Sequence, residues 1–252
     1  MSTRHAVVLL PGGVLPAGPA YAALLSALGN SADAVAKDLE VYAGEEPPPG
    51  YSLEIEIEGI IRESTAHGFD RFHLVGYSAG GACSLAFAAR HGDRLLSLAL
   101  LEPAWAGNVR TPEEDALMDQ FRGLDTLPPD QFMAGFVRLQ LAPGVEPPPP
   151  STGESPPWMA RRPGGLRAII GAFDNGQLEL DALRAFDRPV YFALGGGSNP
   201  DYYARMAARL ADIFPDFTLE TFADRHHFDP PHRIEPARLA ASLLTLWQRS
   251  DP

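Results

Sequence analysis

Ser78 stands at the centre of the pentapeptide Gly76-Tyr77-Ser78-Ala79-Gly80, the arrangement in this chain best suited to nucleophilic chemistry. A serine hydroxyl attacks when it is held clear of the backbone, faces a base that takes its proton, and lies beside donors for the developing oxyanion. Glycine two residues to either side meets the first need, because side chains there would collide where a strand turns sharply into a helix. The helix that follows brings its N-terminal amides and positive dipole end to the reacting oxygen, with the Ala79 amide as first donor. Pro11-Gly12-Gly13-Val14 is a second stretch of small residues whose backbone can come close to the nucleophile. Gly13 is expected to give the second oxyanion amide, although without the Ser78 context a plain glycine turn would be the better reading.

The base must come from elsewhere in the chain. Ala223-Asp224-Arg225-His226-His227-Phe228-Asp229-Pro230-Pro231-His232 carries three histidines on an expected loop between the last strand and the last helix. Histidines with aspartates also suit a metal, but Pro230 and Pro231 forbid a helical ligand array and no second ligand cluster is evident. Neither a metal nor another cofactor is therefore expected. One of His226 and His227 is read as the base, and the other as packing or capping.

These residues need a frame that brings distant loops together. Residues 6–10 form an apolar run closed by Pro-Gly-Gly, as a strand buried on both faces would. Residues 72–77, 95–101, 190–194 and 217–222 read as further strands, and 35–41 as one more, closed by Ala43-Gly44 and a proline cluster. Helices are expected over 21–28, 79–90, 202–213 and 236–248. Residues 53–61 begin with strand-like alternation, but Glu54, Glu56 and Glu58 and the lack of a turn signal before Ile61 favour a helix there too. Alternation of strands and helices predicts an α/β fold: a mainly parallel, doubly wound sheet. From 106 to 186 the pattern breaks into short helical stretches, 113–121 and 129–139, followed by the proline run 147–150. Such a run lacks ladder donors, so 106–186 is read as an inserted, mostly helical lid within a single domain spanning 1–252.

The 252 residues are 45% hydrophobic, enough for one sizeable core. A net charge of -12 opposes binding to a nucleic-acid backbone, which calls for clustered Lys and Arg. Cys83 is the single cysteine, which excludes an internal disulfide and a cysteine-based zinc site and suits a cytoplasmic location. The first apolar run is too short for a signal segment and no stretch approaches a membrane span. A small-molecule substrate is the expected partner, with the oligomeric state open.

The strand-loop Val7-Val8-Leu9-Leu10-Pro11-Gly12-Gly13, the Ser78 motif, Leu98-Ala99-Leu100-Leu101-Glu102-Pro103, Pro189-Val190-Tyr191-Phe192-Ala193-Leu194-Gly195 and the histidine loop occur in an order that resembles the α/β-hydrolase superfamily. The likeness covers 5–105 and 187–249. It implies Ser78 as nucleophile, the amides of Gly13 and Ala79 as oxyanion hole, a variable lid over 106–186, and His227 rather than His226 as base. Two departures stand out: Pro11 replaces a histidine found in many relatives, and Ser198 stands where the acid is expected beyond Gly195. Two carboxylates compete for the vacant role. Asp201 follows the strand 190–194, where a helix-capping job would also account for it. Glu102 ends the strand 95–101, where some relatives place the acid, and a carboxylate buried there needs a partner such as an imidazole N–H. Glu102 is preferred.

Hydrolysis of a carboxylic ester or lactone through an acyl-enzyme is the leading expectation, for a small to medium-sized, partly apolar substrate. Trp105, Phe132, Phe136 and Trp158 are candidates to line its pocket, although aromatics in such a segment more often serve packing than recognition. Acyl transfer to another acceptor, thioester cleavage, and ligand binding without turnover are the alternatives.

Overall fold

The computed structural model describes residues 4–149 and 154–250; Pro150, which ends the proline run, lies outside them. Its centre is a sheet of six strands. β1 (His5–Leu10) leads through α1 (Ala17–Leu28) to β2 (Ala32–Ala36), and α2 (Leu53–Ala66) then leads to β3 (Phe72–Tyr77). α3 (Ala79–His91) connects β3 to β4 (Leu95–Leu101). Among the described residues four α-helices follow before the next strand: α4 (Pro112–Gly123), α5 (Pro129–Leu139), α6 (Arg162–Asn175) and α7 (Leu180–Arg184). The chain ends with β5 (Val190–Gly195), α8 (Arg205–Ala211), β6 (Phe217–Phe222), α9 (Pro231–Ile234) and α10 (Pro236–Ser250). The strand order is β2-β1-β3-β4-β5-β6, and every neighbouring pair is parallel.

Strict alternation sends successive side chains of each strand to opposite faces, and both faces are covered. Val7 and Leu9 of β1, with Ala99 and Leu101 of β4, pack against Tyr21 and Leu24 of α1 and Leu243 and Trp247 of α10. Val8, Leu10, Leu98 and Leu100 face the other way, into the core formed with α2, α3, α8 and the inserted helices. The fold is thus the doubly wound α/β architecture expected from the apolar runs.

Two elements differ from expectation. The second strand is Ala32–Ala36, not 35–41, and Glu40–Tyr42 form a 3₁₀ turn. The chain leaves the edge after Lys37, whose amide bonds the Leu9 carbonyl at 3.0 Å, and Leu39 and Val41 bury as core residues instead. The helix expected over 202–213 begins with a π-helical turn, Pro200–Ala204, which buries the consecutive Tyr202 and Tyr203. Wider turns of this kind are frequent at functional sites.

The inserted helices are tied to the sheet by named contacts. Thr111 and Glu114 form a capping box at the start of α4, and the fully buried Glu114 carboxylate accepts two bonds from Arg209 of α8, at 2.6 and 2.7 Å. After α5, the Ala142 amide bonds the Gly197 carbonyl at 2.9 Å, and Asn199 bonds the Gln140 and Leu139 carbonyls. The loop after β5 is therefore taken up in docking the insertion.

Candidate active site

Ser78 begins α3 directly after β3, with φ 53° and ψ -117°. An L-residue occupies this region only under constraint, at a cost of about 1 kcal/mol or more. The constraint is visible: the Ser78 amide donates to the Leu101 carbonyl at 3.1 Å, and the Ser78 carbonyl accepts from Ala104 at 2.8 Å and Ala82 at 3.1 Å. The expected glycine clearance is equally tangible. A Cβ on Gly76 would strike the Gly80 carbonyl and the Ser84 hydroxyl, and one on Gly80 would strike the Leu10 and Pro11 carbonyls. The turn closes only with glycine at both places.

His227 arrives on the loop after β6. Its Nε2 lies 3.0 Å from Ser78 Oγ, and its Nδ1 lies 3.0 Å from Glu102 Oε2. Glu102 ends β4 and is 5% exposed, with φ 47°. Its second oxygen, Oε1, accepts the Gly195 amide at 2.7 Å. Among the described residues Ser78 and Glu102 are the two non-glycine residues with positive φ. Both strained positions thus belong to one hydrogen-bonded chain, Ser78–His227–Glu102. Sequence separations of 149 and 125 residues close over the four parallel strands β3, β4, β5 and β6, because β4 lies beside β3 and the histidine loop after β6 reaches back to them.

Two tyrosines hold the imidazole. The Tyr77 hydroxyl donates to the His227 carbonyl, and the Tyr203 ring stacks on the imidazole with centroids 4.7 Å apart and planes 15° apart. The Tyr203 hydroxyl donates to Gln140 Oε1 at 2.8 Å and sits 3.3 Å from His227 Nε2. Burial, reinforced by the Glu102 charge, pushes that phenol well above its ordinary pKa, so it stays a donor.

Asp201 is not brought to His227: its side chain is 69% exposed and pairs with Arg205 at 3.2 Å, while its amide is capped by Asn199 at 3.1 Å. His226 faces its own loop, where Nδ1 accepts the Phe228 amide at 3.1 Å and the Asp229 amide at 3.2 Å. His232 is buried between Tyr21 and Tyr77, 4.9 and 4.7 Å from their ring centres, and burial lowers its pKa to about 3. Gly13 and Ala79 border the cavity beside Ser78, and Tyr42 fixes the Gly13 carbonyl with a 2.6 Å bond. The Gly80 amide bonds the Pro11 carbonyl at 3.0 Å and clamps this loop to the start of α3.

That cavity, open to solvent, spans about 440 Å³ between Ser78 and the insertion. Its walls include Met118 and Phe121 of α4, Phe136 of α5, and Leu166, Ile169 and Phe173 of α6. Of the four candidate aromatics only Phe136 lines it. Trp105 stacks on Phe173 from behind, Phe132 stacks on Phe136, and Trp158 lies against Arg162. Aromatic content alone does not separate a ring that faces a cavity from one that packs behind it. Sequence pattern does not signal Tyr203, because the π-helical turn that aims it inward has no apolar periodicity, and Gln140 reads only as the polar residue that closes α5.

Residues 7–146 match the family model of the alpha/beta hydrolase fold. The chain belongs to that family. A fluoroacetate dehalogenase from a Burkholderia species is 34% identical to this alpha/beta hydrolase over 88 residues, a segment covering 32% of this chain and 29% of that protein. The chain thus spans less than a third of that relative's length. Among solved structures, a thermophilic esterase from Thermogutta terrifontis superposes with TM-score 0.72 at 18% identity, covering 99% of this chain and 92% of the esterase. A bacterial membrane phospholipase A superposes with TM-score 0.69 at 19% identity, covering 98% and 79%. At such identities the likeness is one of fold. Among the described residues no helix is long and apolar enough to cross a membrane.

Proposed function

We propose that this alpha/beta hydrolase cleaves a carboxylic ester or lactone of a small to medium-sized, partly apolar substrate through an acyl-enzyme on Ser78. The observation that carries the reading is the unbroken chain from Ser78 Oγ through His227 to Glu102, with its serine end opening on an apolar cavity. Glu102 accepts the Nδ1–H bond, which leaves Nε2 as the acceptor for the serine proton. Oγ attacks the carbonyl carbon as its proton passes to Nε2, and the amides of Gly13 and Ala79 receive the oxyanion. The C–O bond then breaks, Nε2–H protonates the departing alcohol, and a water activated by the same nitrogen releases the acid and restores Ser78. Residues 106–186 act as a lid that shapes the acid-binding cavity.

The similarity to a fluoroacetate dehalogenase does not redirect this chemistry. Displacement of fluoride by a serine oxygen would leave a serine ether, which lacks the electrophilic carbonyl that water attacks in an acyl-enzyme. Ser78 is suited to acyl transfer, where the covalent intermediate can turn over.

A fluorophosphonate probe is expected to label the protein at Ser78, identified by peptide mass. Ser78→Ala should lose labelling and at least about 10⁴-fold in ester turnover while remaining folded by circular dichroism, with a residual rate above that of water. Turnover within about tenfold of the parent enzyme would overturn the serine mechanism.

A further inference from the structure

A second cavity, of about 500 Å³, meets Ser78 from the other side. Its lining includes His227, Tyr77, Phe228, Val14 and Leu15, and at its rim Arg233. Among the described residues His227 borders this cavity and not the apolar one. The distinction has a chemical meaning under the proposed acyl-enzyme reaction. The departing oxygen must reach His227 Nε2–H, so the alcohol half of the substrate occupies the cavity that His227 lines, and the acyl half fills the cavity under the insertion.

The two cavities differ in charge. The acyl side has no charged residue in its lining, whereas the alcohol side has Arg233 and no Asp, Glu or Lys. Among the described residues the Arg233 guanidinium has no carboxylate or carbonyl partner. The acids nearest in sequence are already engaged: Arg225 binds Asp229 Oδ2 at 3.1 Å and Glu235 Oε1 at 3.0 Å, and Arg238 takes Glu235 Oε2 at 3.3 Å. His232, which shares the cavity wall, stays neutral because burial holds its pKa near 3. In a chain of net charge -12, a cation left unpaired at the rim of the cavity that holds the leaving group is set against the charge of the whole.

We propose that this cavity is an anionic leaving-group subsite, in which Arg233 receives a carboxylate or phosphate carried by the alcohol half of an ester whose acyl half is apolar. The proposal rests on the serine-hydrolase reading and adds the orientation and charge of the substrate. A planar guanidinium suits either anion, since both offer two oxygens to its fork.

The test compares hexanoyl esters of glycolate and of 4-hydroxybutyrate with their carboxamide counterparts, and monoethyl adipate with ethyl hexanoate, by kcat/KM at low salt. The better of the two anionic esters should exceed its amide by about five- to tenfold, mostly through KM, as expected for one partly solvated ion pair. That ratio should fall to within about twofold of unity in Arg233→Gln and persist in Arg249→Gln, which removes a cation paired with Asp216 outside both cavities. Monoethyl adipate, whose charge lies on the acyl half, should be the poorer substrate of its pair. Hexanoyl phosphate-bearing alcohols in place of the carboxylates identify which anion is preferred. A ratio near one in the parent enzyme, or a ratio that survives Arg233→Gln, with Ser78 still labelled by fluorophosphonate, would overturn the subsite alone. Absence of both labelling and ester turnover would overturn the hydrolase reading and the subsite with it.

Discussion

Glu102 and Glu56 are both buried glutamates, 5% and 0% exposed, and they do different work. Glu56 lies in the first turn of α2 and closes the chain leaving β2: its carboxylate accepts the Glu40 amide at 3.0 Å, the Val41 amide at 3.1 Å and the Tyr51 hydroxyl at 2.9 Å. Burial raises its pKa, only partly offset by those donors and by Lys37. Glu102 gives one oxygen to a backbone amide and keeps the other for an imidazole that continues to Ser78. It also sits in strained backbone, with φ 47°, whereas Glu56 lies in an ordinary helix. Burial of a carboxylate therefore does not by itself mark a reactive site. The distinguishing features are a titratable partner that leads onward to the Ser78 hydroxyl, and backbone strain maintained by the surrounding fold.

That contrast is open to direct attack. The largest effect should come from Glu102→Gln, which keeps the shape and the Gly195 contact but presents His227 with the wrong partner; kcat is expected to fall by about 10³- to 10⁴-fold with little change in melting temperature. Asp201→Asn, at the exposed cap, should change kcat by less than about twofold. An inactive, folded Asp201→Asn enzyme beside a nearly unaffected Glu102→Gln enzyme would reverse the assignment of the acid.

Glu56→Ala should do the opposite of Glu102→Gln. Two amides and a phenol lose their acceptor, so urea denaturation should show a loss of about 3 kcal/mol, while kcat of the folded fraction stays within about twofold. A comparable drop in kcat would show that the clamp behind β2 also shapes the site and would erase the distinction between the two glutamates.

The smallest effect extends the comparison to buried histidines. Burial lowers the pKa of His73 and of His232 to about 3, below the ordinary value of 6.5. A depressed folded pKa means that the unfolded chain takes up the proton first as pH falls, so this stability is complete above 6.5 and drains away toward 3. Each histidine steepens that acid limb by up to about 1.4 kcal/mol per pH unit. His232→Phe, which preserves the packing against Tyr21 and Tyr77, should lower the slope by about one proton in denaturation curves taken between pH 7 and 4. An unchanged slope would show that His232 is protonated in the folded protein.

Much of this was legible in the sequence because it depends on short-range sterics and periodicity. Continuous apolar runs at 6–10, 72–77 and 95–101 become β1, β3 and β4, buried on both faces. Gly76 and Gly80 announce a tight strand-to-helix turn because the atoms they must clear are within a few residues or in the loop just after β1. Glu56 shows the limit of such reading. Glu54, Glu56 and Glu58 are alike in sequence as polar members of an amphipathic helix, yet Glu54 and Glu58 are exposed and Glu56 is fully buried. Helical periodicity states which residues share a face, but not that a loop from β2 will bring two amides to one of them.

Local chemistry thus determined where a nucleophile could stand, at Ser78, and which loop could bring a base, at 223–232. Strand-end position already favours Glu102 over Asp201, but its contact with His227 exists only in the tertiary structure. Strand order sets β4 beside β3, so that Glu102 ends next to Ser78, and the loop that carries Asp201 is occupied in binding the insertion through Asn199. The same holds for the two cavities on either side of Ser78, which share Gly13 and Phe136 but otherwise take their walls mainly from α4 and α6 on one side and from the β1 and histidine loops on the other. A hydrogen bond of 3.0 Å between residues 125 positions apart leaves no trace in local pattern, because its geometry exists only once the strands between them have paired.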